Sequence, residues 1–462
     1  MAGYSCFVSN ETHYLTVIAV ILATFFSGTL QAKEELANPS EILASLAVRQ
    51  SVGKGVVQAL NETRQVRVYV GMRDPKANKA RRAGVIGPLP GSSFKLMREF
   101  SNVPGFAGMA DAAAVDALSR HPDVWRVDLD EGGSGNALQA LPLAKLDRVK
   151  SSGLSGRGVT VAVIDSGIDT DHPDLAGSLV AEQCFCSGGP CCPNGQATQS
   201  GTGAAEDDHG HGTNVSGIIS SNGVVAPEGG APDADIVAIK VLDSSNSFCC
   251  SSDVIAALDW IISDRPDVDV VNMSLGTNAR YAGDCDAAAS FVTDYAVAIN
   301  TLRANGVAVI VSSGNNGSGV DMQVPACVSN AISVGAVWDS NVGSRTVLGC
   351  SDFTTAADQV TCFSNASATT DLFAPGAPYT SSGRGGGTST YYGTSQAAPT
   401  VTACAALLIE SMSGIQPPAL ELALKSSQTL VTDASNGLSY PRLDCRESLA
   451  SFFIFQNGFE QQ

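Results

Sequence analysis

From residue 158 onward, short apolar runs alternate with longer segments in which apolar residues recur every three or four positions. The run 159–164 is rich in β-branched residues, which is typical of a strand buried on both faces of a sheet. The segments 253–262 and 287–305 have the periodicity of helices. Strands that alternate with helices predict an α/β domain with a mostly parallel sheet and helices on both faces. Further apolar runs predict strands at 236–241, 268–273, 307–311 and 332–337.

The part of the chain before residue 130 has a different pattern. Polar and apolar positions alternate at 65–70, which predicts a strand. A helix is expected over 41–57, and the stretch 74–91, rich in Lys, Arg, Gly and Pro, is typical of a loop. These features predict a small α+β unit, followed by a flexible Gly-rich linker at 131–136. Its other expected elements are strands at 94–100, 104–109 and 124–129 and a helix at 111–119.

The N-terminus carries an apolar stretch, 14–26, that is followed by small residues. Its length suits the core of a signal peptide and is short for a membrane span. No Lys or Arg precedes Lys33, so the positively charged start of an ordinary signal peptide is missing. We expect a signal peptide over 1–32 with an atypical start, and a single-span membrane anchor is the alternative.

The composition limits the cellular compartments and the binding partners that are expected for this protein. Of the 462 residues, 44% are hydrophobic and 16% are charged, so the chain can bury a large core. The net charge of -18 argues against nucleic acid or an anionic membrane as a partner. Of 13 cysteines, only Cys6 precedes Cys184, and such a late cluster is typical of disulfides formed in an oxidising compartment. A metal site is the alternative for the group Cys184, Cys186, Cys191 and Cys192.

Residues with catalytic chemistry lie at the ends of the predicted strands. Asp165 follows the first strand, 274–276 follows the third and 312–315 follows the fourth, so all should meet at the carboxyl edge of the sheet. A serine hydroxyl needs a base within hydrogen-bonding reach, and the base needs a group that orients it. We expect Ser395 as the nucleophile, His211 as the base and Asp165 as the orienting acid.

Two neighbouring assignments depend on sequence context. Ser395 precedes the apolar stretch 401–409, so it should lie near a helix N-terminus, where free amides favour developing negative charge. Asn315 is expected to donate its side-chain amide to the oxyanion of a tetrahedral intermediate, and stabilising a turn is the alternative. Asp207 and Asp208 are expected in a solvated acidic loop.

The motifs around these residues resemble those of the subtilases, the subtilisin-like serine endopeptidases of peptidase family S8. Asp165-Ser-Gly-Ile-Asp-Thr-Asp-His-Pro-Asp-Leu, His211-Gly-Thr-Asn-Val-Ser-Gly and Gly-Thr-Ser395-Gln-Ala-Ala-Pro are similar to the three catalytic motifs. Ser-Gly-Asn315-Asn-Gly is similar to the oxyanion motif. The order Asp, His, Ser is that of subtilisin and differs from chymotrypsin and the α/β-hydrolases. The resemblance covers 146–409 and implies a three-layer α/β/α fold.

The resemblance also implies binding residues. Asp174 matches a position that binds calcium in some subtilases, which makes it a candidate ligand of a structural calcium ion, with the other ligands unassigned. The chemistry itself is expected to need no cofactor. The implied cleft residues are Ser274, Leu275 and Gly276 on a strand that pairs with the substrate backbone, and Ser312, Ser313 and Gly314 on the opposite wall.

The chain is expected to be a secreted, monomeric zymogen that cleaves polypeptides without stable membrane association. Residues 65–130 resemble an inhibitor I9-type propeptide, which would inhibit the enzyme intramolecularly and be removed by self-cleavage. The expected division is a signal peptide at 1–32, a pro-segment at 33–64, the propeptide at 65–130, a linker with the processing site at 131–140, the catalytic domain at 141–445 and a tail at 446–462.

Substrate class is the open question. The segment 320–325 should lie near the base of the first specificity pocket, where Gln323 does not indicate cleavage after basic residues and Asp321 leaves that preference open. Cleavage after apolar residues is the default expectation. An esterase is an alternative because the same triad attacks esters, and a binding protein on a subtilase scaffold is another.

Overall fold

The computed structural model describes residues 39–74, 76–99, 105–129, 137–189 and 191–451. The chain divides into two compact units, Met1–Gly133 and Ser134–Gln462. The expected signal peptide, most of the expected linker and the residues after 451 lie outside the described part. No helix in that described part combines the length and the apolarity that a membrane span requires.

The N-terminal unit is an antiparallel sheet with helices packed on it. Its elements are α1 (Pro39–Ala47), α2 (Lys54–Glu62), β1 (Val66–Met72), α3 (Lys79–Ile86), β2 (Phe94–Glu99), β3 (Phe106–Ala110), α4 (Ala112–Arg120) and β4 (Val124–Leu129). The strand order is β2-β3-β1-β4. Val66, Val68 and Val70 alternate along β1 with less buried residues and share one core with the helices, which confirms the predicted α+β class.

A helix occupies part of the stretch 74–91, which the sequence predicted as a loop. Asn78 caps α3 by accepting the Arg81 N–H at 3.1 Å. Arg82 of the same helix is buried and pairs with Glu99 of β2 at 3.2 Å. The polar residues that suggested a loop therefore form a helix cap and a buried ion pair.

The predicted helix 41–57 is two helices, and both belong to the core of this unit. The chain bends between them, where the Gly53 N–H donates to the Val127 carbonyl at 2.9 Å. Leu46 of α1 and Val56 of α2 are fully buried in the same core as the sheet. Residue 65, the expected start of a separate propeptide domain, is therefore not a boundary of the folded unit.

The C-terminal unit is built around an eight-stranded sheet. Its elements are α5 (Ala137–Leu143), α6 (Leu146–Lys150), β5 (Thr160–Asp165), β6 (Leu179–Phe185), β7 (Thr198–Ser200), α7 (His211–Ser220), β8 (Asp235–Lys240), α8 (Ser251–Asp264), β9 (Val270–Met273), β10 (Arg280–Tyr281), α9 (Ser290–Ala304), β11 (Ala308–Ser312), β12 (Met322–Gln323), β13 (Ile332–Trp338), β14 (Arg345–Val347), β15 (Cys350–Asp352), β16 (Leu372–Ala377), β17 (Tyr379–Gly383), β18 (Gly387–Tyr391), α10 (Thr394–Ser411), α11 (Pro417–Leu424), β19 (Leu430–Thr432) and β20 (Ser439–Pro441). The order of the large sheet is β16-β13-β11-β9-β5-β8-β6-β7, and its pairs are parallel except β6 with β7.

Alternate residues of the central strand β5 face two separate cores. Val161 and Val163 lie in a core shared with α7 and α10, whereas Ala162 and Ile164 lie in a core shared with α8 and α9. A strand that is covered on both faces has no face exposed to solvent, which explains its continuous apolar run. The predicted three-layer α/β/α domain with a mostly parallel sheet is confirmed.

Twelve of the cysteines form disulfides in this unit, so the metal alternative for the four-cysteine group is wrong. Cys445 is bonded to Cys404 of α10, and the chain continues beyond it as a helix in which Ser448 is fully buried. At the other end, Ala140 of α5 is also fully buried. The unit thus extends past both expected limits, 141 and 445. The pairs are Cys184–Cys192, Cys186–Cys191, Cys249–Cys250, Cys285–Cys327, Cys350–Cys362 and Cys404–Cys445.

A buried carboxyl directly after β13 makes this unit sensitive to pH. Asp339 is 4% exposed, and its Oδ1 accepts the Ser340 hydroxyl at 2.6 Å. Its Oδ2 has no hydrogen-bond partner among the described residues. Burial raises the pKa of Asp339 from 3.8 to about 7, so the folded state disfavours the ionised carboxylate.

We expect Asp339→Asn to stabilise the protein at high pH but not at low pH. Wild-type stability should fall as the pH rises from the ordinary carboxyl pKa to the folded pKa of about 7, because only the folded state resists ionisation. Asn does not ionise, so the variant should gain a few degrees of Tm at about pH 8 and nothing at about pH 4. Calorimetry of both proteins in a Ser395→Ala background measures this, and an equal Tm difference at both pH values would contradict the raised pKa.

Candidate active site

Three elements bring the predicted catalytic residues to the carboxyl edge of the large sheet. Strand β5 ends at Asp165, helix α7 begins at His211, and Ser395 lies in the first turn of α10. The neighbouring strand β11 ends at the same edge with Ser312, next to Asn315. The sequence prediction that these residues share one edge agrees with this arrangement.

Asp165 and His211 form a buried pair. Asp165 Oδ1 lies 2.7 Å from His211 Nδ1 and accepts the Ser166 N–H at 2.7 Å. We assign the ring proton to Nδ1 because that atom faces the carboxylate, which leaves Nε2 as an acceptor. Gly212 permits this close approach of α7 to β5, since a Cβ at that position would collide with the Gly167 carbonyl oxygen.

Asp207 is buried at the N-terminus of α7, so the expectation of a solvated position is wrong. Its Oδ1 accepts the N–H groups of His209 and Gly210 at 3.0 and 2.8 Å and the Ser166 hydroxyl at 2.9 Å. Its Oδ2 accepts the N–H and the hydroxyl of Thr213 at 3.0 and 2.6 Å. Burial alone would raise the pKa of Asp207, but these hydrogen bonds outweigh burial and hold that pKa below its usual value.

Lys240 places a positive charge behind the two carboxylates. It is fully buried, and its Nζ donates to the carbonyls of Ser166 and Leu242 at 2.7 and 3.0 Å and to Asp208 at 2.6 Å. The sequence analysis missed this residue. Its signal was a lysine that ends the otherwise apolar strand β8, a position where an unpaired ammonium would be costly.

The surroundings of His211 favour its protonated form. Burial lowers the pKa of the imidazole, but the charge and the hydrogen bond of Asp165, together with the charge of Asp207, raise it further. The net pKa of His211 therefore lies above the usual 6.5. A base with this property binds a proton more readily than an ordinary histidine.

Ser395 is held against the end of β9. Its hydroxyl donates to the Ser274 carbonyl at 3.1 Å, and the Ser274 hydroxyl donates to the Ser395 carbonyl at 2.8 Å. The Asn272 side chain donates to the Ser274 hydroxyl at 3.0 Å and accepts the Thr402 hydroxyl at 2.9 Å. These bonds fix α10 to the strand that was expected to bind substrate.

The orientation of the Asn315 amide is fixed by its oxygen. Oδ1 accepts both the N–H and the hydroxyl of Thr394 at 2.9 Å. The Thr394 hydroxyl in turn accepts the Gly314 N–H at 3.2 Å. The nitrogen Nδ2 lies 3.4 Å from the position that a Cβ of Gly393 would occupy, two residues before Ser395.

A cleft of about 390 Å³ lies beside Ser395. Ser313, one of the six expected wall residues, does not line it, because its side chain is buried and donates to the Asn365 carbonyl at 2.7 Å. Asn315 and Gln323 also border the cleft. The other expected wall residues line it, namely Ser274, Leu275, Gly276, Ser312 and Gly314.

Gln323 fills the space between the two walls. Its Oε1 lies 2.5 Å from where a Cβ of Gly276 would be and 2.8 Å from where a Cβ of Gly314 would be, so both walls need glycine. Asp321, the residue that left a basic preference open, pairs with Arg280 at 3.4 Å. The carboxylate in this segment is therefore already engaged by a cation.

Asp174 does not fit the expected calcium site. Its carboxylate is 2% exposed, and Oδ1 accepts the N–H groups of Val224 and Val225 at 2.7 and 2.8 Å. Oδ2 accepts the Ala226 N–H at 2.7 Å. Three amide N–H dipoles aimed at one carboxylate stabilise the anion and present positive ends to a cation. Asp174 thus anchors the loop after α7 without a metal.

Tyr391 is a neighbour of the candidate base that the sequence analysis missed. Its ring lies edge-to-face on the His211 ring with centroids 5.8 Å apart. The His209 ring lies 6.4 Å from each of these two rings. The only indication of this in the sequence was that Tyr391 lies four residues before Ser395.

Comparison with known proteins agrees with the geometry. The model of the subtilase family matches residues 156–445, which is more than half of the chain. Subtilisin E of Bacillus subtilis (strain 168) is 34% identical over 68% of this chain and 73% of that protein. Subtilisin J of Geobacillus stearothermophilus is 32% identical over 76% of this chain and 83% of that protein.

Among solved structures, that of a cold adapted subtilisin-like serine proteinase is 28% identical, covers 63% of this chain and 89% of that protein, and has a TM-score of 0.48. The family assignment rests on the match to the family model and on the sequence identities of the relatives. The chain belongs to the subtilase family of serine endopeptidases.

Proposed function

We propose that the protein is a secreted endopeptidase that cleaves peptide bonds with Asp165, His211 and Ser395 and that is made as a zymogen. The observation that carries the proposal is the 2.7 Å contact between Asp165 and the His211 ring at the sheet edge where Ser395 lies in the first turn of α10. Nucleophilic catalysis requires an oriented base that can reach a serine hydroxyl, and His211 and Ser395 would supply these two groups.

The chemistry would proceed through an acyl-enzyme. Once Ser395 rotates away from the Ser274 carbonyl, His211 Nε2 takes its proton as the oxygen attacks the scissile carbonyl. Asp165 stabilises the imidazolium, and Asn315 donates to the oxyanion. His211 then passes the proton to the leaving amine, and water hydrolyses the acyl-enzyme by the same route.

The substrate would bind as an added strand. The backbone of Ser274, Leu275 and Gly276 lies along the cleft and can pair with an extended peptide. Gln323 between the glycine walls makes the pocket shallow, and no free carboxylate from Asp321 enters it. We therefore propose cleavage after small or medium uncharged side chains, with an apolar preference.

The N-terminal unit would act as the propeptide. Its described residues, between 39 and 129, include no cysteine, in contrast to the disulfide-bonded C-terminal unit, so their fold does not depend on disulfide formation. The boundary between the two units falls within the Gly-rich stretch 131–136, so self-cleavage there would separate them. Secretion is supported by the six disulfides, which form and persist in oxidising compartments.

Self-processing tests the proposal directly. The intact mass of the secreted wild type should lack the N-terminal unit, while Ser395→Ala should keep it, because only the hydroxyl can attack the linker. Ser411→Ala at the other end of α10 is the matched control and should be processed. If the wild type hydrolyses simple esters but cleaves neither itself nor any polypeptide, the esterase alternative is favoured.

Asn315→Ala tests the oxyanion role. We expect kcat on a chromogenic peptide to fall about 10²–10³-fold with little change in KM, because the amide binds charge that exists only in the transition state. The control is Asn330→Ala, which removes an amide that bonds to Asn300 at 2.7 Å away from the cleft. A loss confined to KM would assign Asn315 to substrate binding instead.

Asp207→Asn tests the electrostatics of the base. The pKa of His211 is raised partly by Asp207, and catalysis needs the deprotonated imidazole, so the acid limb of kcat/KM should lie above pH 6.5 in the wild type. Without the Asp207 charge, the pKa of His211 should fall and the acid limb should move to lower pH. The exposed Asp264→Asn serves as control, and a limb that stays in place in Asp207→Asn would refute the coupling.

A further inference from the structure

One disulfide of this protein lies on the substrate cleft. Cys249 lines the cleft on the side of the segment 246–251, together with Asn246, Ser247 and Phe248. It is the exposed member of the twelve described cysteines. Its Sγ packs against Gly188, at the place where a Cβ of that residue would be. Because Cys249 is exposed and lines the cleft, a small thiol in solution can approach its sulfur.

The partner of Cys249 is the next residue. Cys250 is half-buried and is the N-cap residue of α8. A thiolate at a helix N-terminus is stabilised by the free amides and the helix dipole, so it is a good leaving group. Asp253, only 5% exposed, lies 3.6 Å from Cys249 Sγ and disfavours a thiolate there. A carboxylate oxygen of Asp253 lies within 4.8 Å of both sulfurs, so the two sulfurs differ in access and in their position relative to the helix N-terminus.

We propose that Cys249–Cys250 is a thiol-exchange site that controls the shape of the substrate cleft. The thiolate of a small dithiol attacks Cys249 Sγ, the S–S bond breaks, and its electron pair leaves with Cys250 as a thiolate. The second thiol of the reagent then attacks the mixed disulfide and displaces Cys249. The dithiol is oxidised to its disulfide, and the protein gains two cysteine thiols.

Reduction would loosen the wall that carries the pair. Apart from the disulfide, this segment is tied by Asp243, whose Oδ1 accepts the N–H groups of Ser245 and Ser247 at 2.8 and 3.1 Å. These bonds end two residues before Cys249. A bond between adjacent residues closes a small ring that restricts their backbone, so its reduction frees the backbone of Cys249 and Cys250. Ser274 on the opposite strand keeps its bonds to α10. This consequence for substrate binding rests on the proposed function.

Four of the other five disulfides have both cysteines buried, and the fifth, Cys350–Cys362, joins two half-buried cysteines. Cys404 and Cys445 are fully buried, and Cys285 and Cys327 are 3% and 1% exposed. Thiol exchange needs access of the attacking thiolate along the S–S axis. The order of reduction should therefore begin at Cys249–Cys250.

Differential alkylation of the native protein tests the exchange site without any variant. The mature enzyme is treated with increasing dithiothreitol, trapped with iodoacetamide and mapped by mass spectrometry. Cys249 and Cys250 should be alkylated first, before any other cysteine. Earlier alkylation of another pair would overturn the proposal.

Kinetics on a peptide substrate test the effect on the cleft. At the dithiothreitol concentration that labels only this pair, KM should rise about threefold to tenfold, as expected for the loss of modest contacts, with kcat nearly unchanged. Cys249→Ser/Cys250→Ser should show the raised KM and no response to dithiol. The control Cys350→Ser/Cys362→Ser removes a disulfide of the β14–β15 hairpin and should respond as the wild type does.

The labelling and the kinetics together distinguish a failure of the thiol-exchange site from a failure of the proposed peptidase function. Selective labelling with an unchanged KM would refute control of the cleft. If the enzyme cleaves no peptide in either redox state, the proposed function fails, and the order of alkylation still decides whether this pair is the exchange site.

Discussion

The site depends on the burial of two carboxylates, Asp165 and Asp207, beside one imidazole. Burying a charge is costly unless it is paired and hydrogen-bonded. Asp207 meets this condition with four hydrogen bonds from its own loop and helix and a fifth from the Ser166 hydroxyl. Asp165 meets it differently, because its Oδ2 has no partner among the described residues and Oδ1 depends on His211. The imidazole therefore stabilises the acid as much as the acid orients the imidazole.

Lys240 is a further buried charge next to this site, and its ammonium pairs with Asp208 at 2.6 Å. It also bonds to the carbonyl of Ser166, the residue whose N–H and hydroxyl contact Asp165 and Asp207. Ser166 thus connects both carboxylates with the buried ammonium. This requires strand β5 to end at residue 165 next to the end of β8, which the parallel pairing of Asp165 with Lys240 provides. The parallel pairing of β5 with β8 therefore sets the positions of both the buried carboxylate Asp165 and the buried ammonium Lys240.

The sequence predicted what a local pattern encodes and missed what long-range contacts create. Five strands of the large sheet were predicted because each is a continuous apolar run, as in the run that ends at Asp165. The strands β6, β7 and β16 were not predicted, and β6 and β7 expose part of their residues. The candidate triad was assigned from short motifs. The helix α3 was missed because its segment is rich in Lys, Arg, Gly and Pro, which are also common in loops. The burial of Asp207 and the role of Lys240 were missed because each depends on partners brought together only by folding. Gln323 was placed near the pocket, but its position between two glycine walls follows from tertiary structure alone.

The distribution of disulfides follows from where the sheet gives support and where it does not. Cys285–Cys327 and Cys404–Cys445 close loops of 42 and 41 residues and tie outer segments to the layers of the domain. Three other disulfides join cysteines that are only 8, 5 and 1 residues apart, namely Cys184–Cys192, Cys186–Cys191 and Cys249–Cys250. Short loops lose little chain entropy on closure, so these bonds contribute less to global stability than the long ones. Their effect is local, because each joins residues close in sequence, and one of them, Cys249–Cys250, borders the cleft. The twelve cysteines of the described residues all follow β5, the strand that ends at Asp165. Because the eight-stranded sheet already supplies the core of the domain, the short disulfides act mainly on the conformation of the segments that they close.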